Sequence, residues 1–237
     1  MEENGKNVII IPARKNSSRI KDKNVALVGG HPLISYTIRL AKALRGIDKV
    51  YVDTDCNEYA ALARDYGAES PFLRDPKYAG NASSLGQSLE QFIARLHREE
   101  GVLAVRHVCL LPTSPFRNLH DVQKMVDGLQ SFYAVTSVTI PDVHVMQSHL
   151  MNGDGLVPLK DFVKMAGEQY HWMKCLGNFI GTNHNDYAPA EMNLYNNFAY
   201  KVVTNPIELI DIDVHEDLHL ANRVVAAGLY DFGLGAL

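Results

Sequence analysis

Two groups of residues, one near each end of the chain, have side chains suited to handling a polyphosphate. Pro12 to Asn24 reads PARKNSSRIKDKN, with five cations (Arg14, Lys15, Arg19, Lys21 and Lys23) in thirteen residues, interleaved with Asn16, Ser17 and Asn24. Guanidinium and ammonium groups offset phosphate charge, while amide, hydroxyl and main-chain donors satisfy the phosphate oxygens. The loop contains neither a P-loop pattern nor the dinucleotide GxGxxG, so it is not one of the common glycine-rich phosphate cradles. Near the other end, Asp211 and Asp213 stand two apart after the apolar Leu209-Ile210. In an extended segment both carboxylates project to one side and can share a hard cation through oxygen. Bland readings compete with both. The loop could be a solvated basic surface, and the acids, with Glu216 and Asp217, could serve the positive end of a helix dipole. Composition leaves the two readings of the loop level, and its position after a buried strand favours phosphate. For the acids, spacing alone leaves the metal and dipole readings open.

The same stretch spells His215-Glu-Asp-Leu-His219, a formal HExxH. On a helix that spacing sets two imidazoles on one face for zinc, with glutamate as base. A catalytic zinc needs a third protein ligand, and the 18 residues after His219 hold no His, no Glu and only Asp231. A zinc protease therefore ranks far below a phosphate enzyme. Cys56, Cys109 and Cys175 are odd in number and far apart, which suits small apolar fillers in a reducing compartment.

The elements that must position these groups follow from hydrophobic pattern. The 237 residues carry 23 Lys+Arg against 27 Asp+Glu, a net charge of −4, with 46% hydrophobic content. That make-up suits one globular domain over residues 1–237 and gives no electrostatic footprint for nucleic acid or a membrane surface. The polar, acidic start from Met1 to Lys6 lacks the pattern of a secretory signal, which points to the cytoplasm. Val8 to Ile11 predicts a central strand, Leu33 to Leu44 a helix, Lys49 to Val52 a strand and Glu58 to Tyr66 a helix. Leu85 to His97 predicts another helix and Val108 to Leu111 a strand. Asn118 caps a helix running to Leu129, Ala134 to Val138 returns as a strand, and Phe198 to Val203 and a helix from His215 to Ala227 close the chain. Alternation at this spacing predicts an α/β fold: a mostly parallel sheet with helices on both faces. The rhythm breaks between Pro141 and about Asn193, where the turn Asn152-Gly-Asp-Gly155 suggests a hairpin inside an insertion.

Six blocks in order, IPARKNSSRIKDKN, GGHPLISYTI, VDTD, ASS at Ala82 to Ser84, LLPTSPFR at Leu110 to Arg117, and LIDIDVHEDLHLA at Leu209 to Ala221, resemble the acylneuraminate cytidylyltransferases, the CMP-sialic acid synthetase family. The resemblance implies a Rossmann-like nucleotidyltransferase fold, with residues 141–193 as a small dimerisation insertion of a homodimer. It implies coupling of CTP to an acidic nonulosonic sugar, with Mg²⁺ and release of pyrophosphate. Arg14 and Lys23 match the family's triphosphate-binding cations, and Ala13, Asn16, Ser17 and Asn24 the loop around the nucleotide. Ala82, Ser83 and Ser84 match the run at the cytidine, where a cap ahead of the helix at Leu85 is the plainer reading. Leu111, Pro112, Thr113 and Ser114 match the turn beneath the acceptor sugar, whose prolines would equally serve as rigid punctuation. Asn196 and Tyr200 keep further sugar-pocket positions, and Asp211 and Asp213 match the Mg²⁺ ligands.

Two departures bear on the acceptor. Sialic-acid enzymes commonly have Gln where Leu111 stands, and an Arg where this chain runs Leu194-Tyr-Asn-Asn197. Loss of hydrogen-bonding groups predicts a different sugar acid, either a deoxy or aminated nonulosonate such as a pseudaminic or legionaminic type or a smaller acid, with Lys160, Lys164 or Lys174 as candidate carboxylate partners. The rival functions are a nucleotidyltransferase using another NTP or a sugar phosphate, a GT-A glycosyltransferase whose DxD binds metal, and a catalytically dead nucleotide-binding partner.

Overall fold

A computed structural model describes residues 5–80, 83–139, 149–152, 155–158, 174–184 and 198–234. In chain order its elements are β1 (Lys6–Pro12), a 3-10 turn (Lys23–Val25), the small hairpin β2 (Leu27–Val28) and β3 (His31–Pro32), α1 (Leu33–Ala43), β4 (Lys49–Asp53) and α2 (Asn57–Asp65). There follow α3 (Pro76–Ala79), α4 (Leu85–Glu100), β5 (Ala104–Cys109), α5 (Leu119–Gly128) and β6 (Ala134–Thr139). The chain continues through β7 (His149–Asn152), β8 (Gly155–Pro158), β9 (Lys174–Asn183), β10 (Phe198–Val202) and α6 (His215–Ala226).

A six-stranded sheet with order β10-β6-β9-β5-β1-β4 forms the centre. β1 pairs parallel with both β4 and β5, and β10 pairs parallel with β6. The β-branched run explains the central place of β1. Ile9 and Ile11 enter a core shared with α1, α2 and α5, while Val8 and Ile10 enter a second core against Leu89, Phe92 and Leu96 of α4. Both faces are therefore covered, as a doubly buried strand requires.

The sheet corrects the sequence expectation at one place. β9, inside the stretch 141–193 assigned to the insertion, is an integral strand antiparallel to β5 and β6. Phe179 is its fully buried anchor, and Gly177 and Gly181 break the alternation that would have marked it. The hairpin inside the same stretch is present, with Asn152 opposite Gly155. Strands and helices outside it fall within a few residues of their predicted bounds, except that β5 begins earlier. Among the described residues, no helix is long and apolar enough to cross a membrane.

A third apolar cluster sits at the carboxyl ends of the strands. Ile20 of the basic loop, Phe116 of the LLPTSPFR block and Ile212 between the paired aspartates all enter it, beside Leu33, Tyr36 and Val224. Segments far apart in sequence thus share one apolar anchor. The turn of β2 and β3 closes over it: Gly29, at φ +55°, lies so close to Val225 that an added Cβ would come within 2.3 Å.

Candidate active site

The carboxyl end of β1 and the turn that follows β5 open onto a cleft of about 420 Å³. Arg14, Ser17, Ser18, Arg19, Lys23 and Asn24 line one side, Gly80, Ser83 and Ser84 another, Leu111, Pro112 and Thr113 a third, and Asp213 closes the circuit. The residues from opposite ends of the sequence meet directly. Lys23 Nζ lies 2.7 Å from Asp213 Oδ1, and Arg19 Nη1 lies 2.8 Å from Asp213 Oδ2. The hydrogen bond from Lys23, with the charges of Lys23 and Arg19, holds the Asp213 carboxyl below the usual carboxylate range.

Main-chain bonds explain how these segments reach one another. Ile212 donates its amide to the Thr113 carbonyl at 2.7 Å, which sets Asp213 beside the proline turn. Beneath that turn, the buried Arg117 donates to the Leu111 carbonyl at 2.6 Å and to Thr37 Oγ1 at 3.2 Å, and burial lowers its pKa to about 9. Asn24 Nδ2 donates to the Arg14 carbonyl at 3.0 Å and ties the two ends of the basic loop together. Ser84 caps α4: its Oγ accepts from the Gln87 amide, and Gln87 Oε1 accepts from the Ser84 amide. The cap does not remove Ser84 from the cleft. It aims the helix amino end, with its partial positive charge, into the same space. At α6, Asp217 Oδ2 accepts from the amides of Asp213 and Val214 at 2.9 Å each, so Asp217 serves the helix end.

The floor holds a pair that sequence reasoning missed. Arg74 and Asp53 approach to 2.6 Å, with side chains 6% and 1% exposed. Ser88 Oγ donates to the same Asp53 oxygen at 3.1 Å. Burial pushes the Asp53 carboxyl upward, against the opposing charge and hydrogen bond of Arg74. Arg74 lines the cleft, and its Nε is without a partner among the described residues. Asp53 had a signal, since VDTD ends a strand beside β1. Arg74 had none, being a lone cation in an irregular loop.

Other predicted residues lie differently. Ala13 is wholly buried, and its amide donates to the Asp53 carbonyl at 2.8 Å, so it fixes the start of the loop from below. Asn16 is exposed and does not line the cleft, and neither does the exposed Asp211. Ser114 is buried beneath the proline turn, and Tyr200 is exposed on β10 away from the cleft. Ala82, Asn196, Lys160 and Lys164 lie outside the described residues, as does the side chain of Lys174.

Asp211 and Asp213 offer oxygen donors on either side of the buried Ile212. Mg²⁺ takes one or two carboxylates and completes its shell with phosphate oxygens and water, so this donor set fits it. Among the described residues, no three His, Cys, Asp or Glu gather as a closed metal cage. His215 and His219 lie on the exposed surface of α6 with Leu220 and Arg223.

Comparison with known proteins bears on the same residues. The family model described as cytidylyltransferase matches residues 8–149. The chain is 27% identical over 231 residues to a pseudaminic acid cytidylyltransferase of Campylobacter jejuni, covering 91% of this chain and 94% of that protein. It is 32% identical over 135 residues to the N-acylneuraminate cytidylyltransferase of Escherichia coli, covering 56% of this chain and 31% of that one. The match thus spans about a third of the Escherichia coli relative and nearly all of the Campylobacter one. Among solved structures, a CMP:2-keto-3-deoxy-manno-octonic acid synthetase complexed with CTP superposes with TM-score 0.66 at 16% identity, over 94% of this chain and 100% of that one. That likeness shows the fold.

Proposed function

The chain belongs to the cytidylyltransferase family, and from that premise we propose that it couples CTP to an acidic 2-keto-3-deoxy sugar, giving the CMP-sugar and pyrophosphate. The observation that carries this reading is the meeting of Lys23 and Arg19 with Asp213 in a cleft that also receives Arg14 and the amino end of α4. A triphosphate in that space finds cations on one side and helix donors on another.

In this mechanism the sugar's anomeric hydroxyl attacks the α-phosphorus in line, and pyrophosphate leaves. Charge builds on the phosphoryl and leaving-group oxygens, so positioned cations supply most of the stabilisation. Arg14 and Lys23 hold the triphosphate, with Arg19 adding positive charge beside them on the Asp213 carboxylate. Asp213 would hold Mg²⁺ at the cleft, with Asp211 as the adjoining oxygen donor outside it, and the metal would supply positive charge to phosphate oxygens and acidify the attacking hydroxyl. Ser83, Ser84 and Arg74 offer donors at the opposite wall; the Arg74 guanidinium, fixed by Asp53, suits the acceptor atoms of a pyrimidine.

Leu111 presents an apolar side chain where a hydrogen-bonding one would discriminate strongly, which favours a sugar acid other than N-acetylneuraminate. The relatives named for pseudaminic acid support a deoxy, aminated nonulosonate. A cytoplasmic homodimer completes the reading, and sedimentation of the full chain tests the dimer. The test of function is pyrophosphate release with Mg²⁺, across four NTPs and a panel of 2-keto-3-deoxy acids. Release with CTP and one acid class is expected; release with another NTP, or with a sugar phosphate alone, would move the assignment to a neighbouring nucleotidyltransferase.

A further inference from the structure

Asp22 is the one non-glycine residue with a left-handed backbone among the described residues, at φ 51° and ψ 36°. A Cβ makes that region costly, and strained backbone persists where its surroundings enforce it. The enforcing contact comes from outside the loop. Tyr59 of α2 donates its hydroxyl to Asp22 Oδ1 at 2.9 Å. The Tyr59 ring is buried in the core with Cys56 and Ala63, so packing beneath the loop sets where its hydroxyl lies. Burial and the bond to Asp22 raise the phenol's pKa, which keeps it a donor at neutral pH.

The chain turns immediately after Asp22. Val25 donates its amide to the Asp22 carbonyl at 3.0 Å, and Ala26 donates to that of Lys23 at 3.1 Å. This turn sends the Lys23 side chain to Asp213 and turns Asn24 inward to the Arg14 carbonyl. A glycine would adopt the same conformation without strain, but it would carry no tether. The carboxylate at position 22 trades conformational ease for a fixed bond to the core.

We propose that the Tyr59–Asp22 hydrogen bond is a positioning device that locks the left-handed turn aiming Lys23 at the nucleotide's triphosphate. The proposal rests on the reading of Lys23 as a triphosphate ligand. Neither Tyr59 nor Asp22 touches reacting atoms; both act through Lys23.

The test is CTP titration calorimetry with initial-rate kinetics on the full chain. Tyr59→Phe keeps the ring and deletes the donor; CTP affinity is expected to fall roughly tenfold, the lower end of what one hydrogen bond to a charged group is worth, with melting temperature lowered by only a few degrees. Asp22→Ala should lose more, and Asp22→Asn, which keeps an acceptor and tolerates the left-handed region, should recover most of that loss. The Tyr59→Phe/Asp22→Ala pair should bind no more weakly than Asp22→Ala alone, because both changes break one interaction. Parental CTP affinity in Tyr59→Phe, or losses that simply add in the double variant, would overturn the tether. Lys23→Ala run alongside separates the two claims. If it binds and turns over CTP normally, the triphosphate reading is at fault; if it fails while Tyr59→Phe does not, the tether alone is wrong.

Discussion

Lys23 reaches the cleft with only 12% of its side chain exposed, so its ammonium acts at low solvent screening. A cation placed where charge develops is worth about 3 kcal/mol to the transition state, and Lys23→Ala should therefore lower kcat roughly a hundredfold. Steady-state kinetics check this; a change confined to KM would make Lys23 a binding residue without a share in the chemistry. The Asp53–Arg74 pair is a different kind of residue problem. Both side chains are nearly inaccessible, so removing one charge strands the other in a poor solvent. Asp53→Asn is expected to cost about 3 kcal/mol, or roughly 8 °C of melting temperature for a chain of this size. Calorimetric scanning decides it, and a shift under about 2 °C would mean that water or relaxation already compensates Arg74.

Elements bring these residues together through apolar anchors more than through charge. Ile20, Phe116 and Ile212 come from three segments far apart in sequence, yet they share one buried cluster beneath the cleft. Ile212→Ala should cost about 3 kcal/mol and Ile212→Val about 1 kcal/mol. Because Asp213 is the next residue, the alanine variant should also raise the KM for CTP, whereas the valine variant should not. Chemical denaturation and kinetics on both variants test this, and an unchanged KM in Ile212→Ala would show that the Ile212–Thr113 main-chain bond suffices to place Asp213. The same elements show what a sequence can display. β1, β4 and α1 were legible because each carries an uninterrupted apolar pattern that its burial repeats. β9 was not, since its glycines erase the alternation and its partners β5 and β6 lie far away in sequence. In the site, Arg14, Lys23 and Asp213 stand out because cations and acids cluster locally, whereas Ser83 and Ser84 are picked out only by the family resemblance. Arg74 does not, because its meaning comes from proximity to Asp53, and Asp22 carries no sequence signal because its role lies in a backbone angle.

At the scale of the whole molecule, acid sensitivity should begin near neutrality because of a histidine remote from the cleft. His107, on β5 in the centre of the sheet, stacks on His184 at 5.1 Å between ring centroids, and Tyr133 meets His184 edge-on at 6.1 Å. Its Nδ1 is buried without a partner among the described residues. Burial, aided by His184, pushes the His107 pKa down to about 4 from an ordinary value of 6.5. The fold therefore keeps this imidazole neutral, and the proton binds only after unfolding. Between about pH 6.5 and pH 4 the unfolded chain holds more protons than the native one, so stability falls as pH falls through that window. A ceiling of about 3 kcal/mol follows from a shift of this size. Glu58 and Glu99, held down to about 2 from 4.5 by hydrogen bonds to Cys56 and Lys15 and to Arg95 and Arg98 respectively, weaken the fold only at lower pH, so the two effects separate along the axis. Urea midpoints measured from pH 7.5 to pH 4.5 should decline for the parent and decline less for His107→Gln, in which His184, also lowered by burial, still contributes. Parallel curves for the two proteins would remove His107 as the source of the decline.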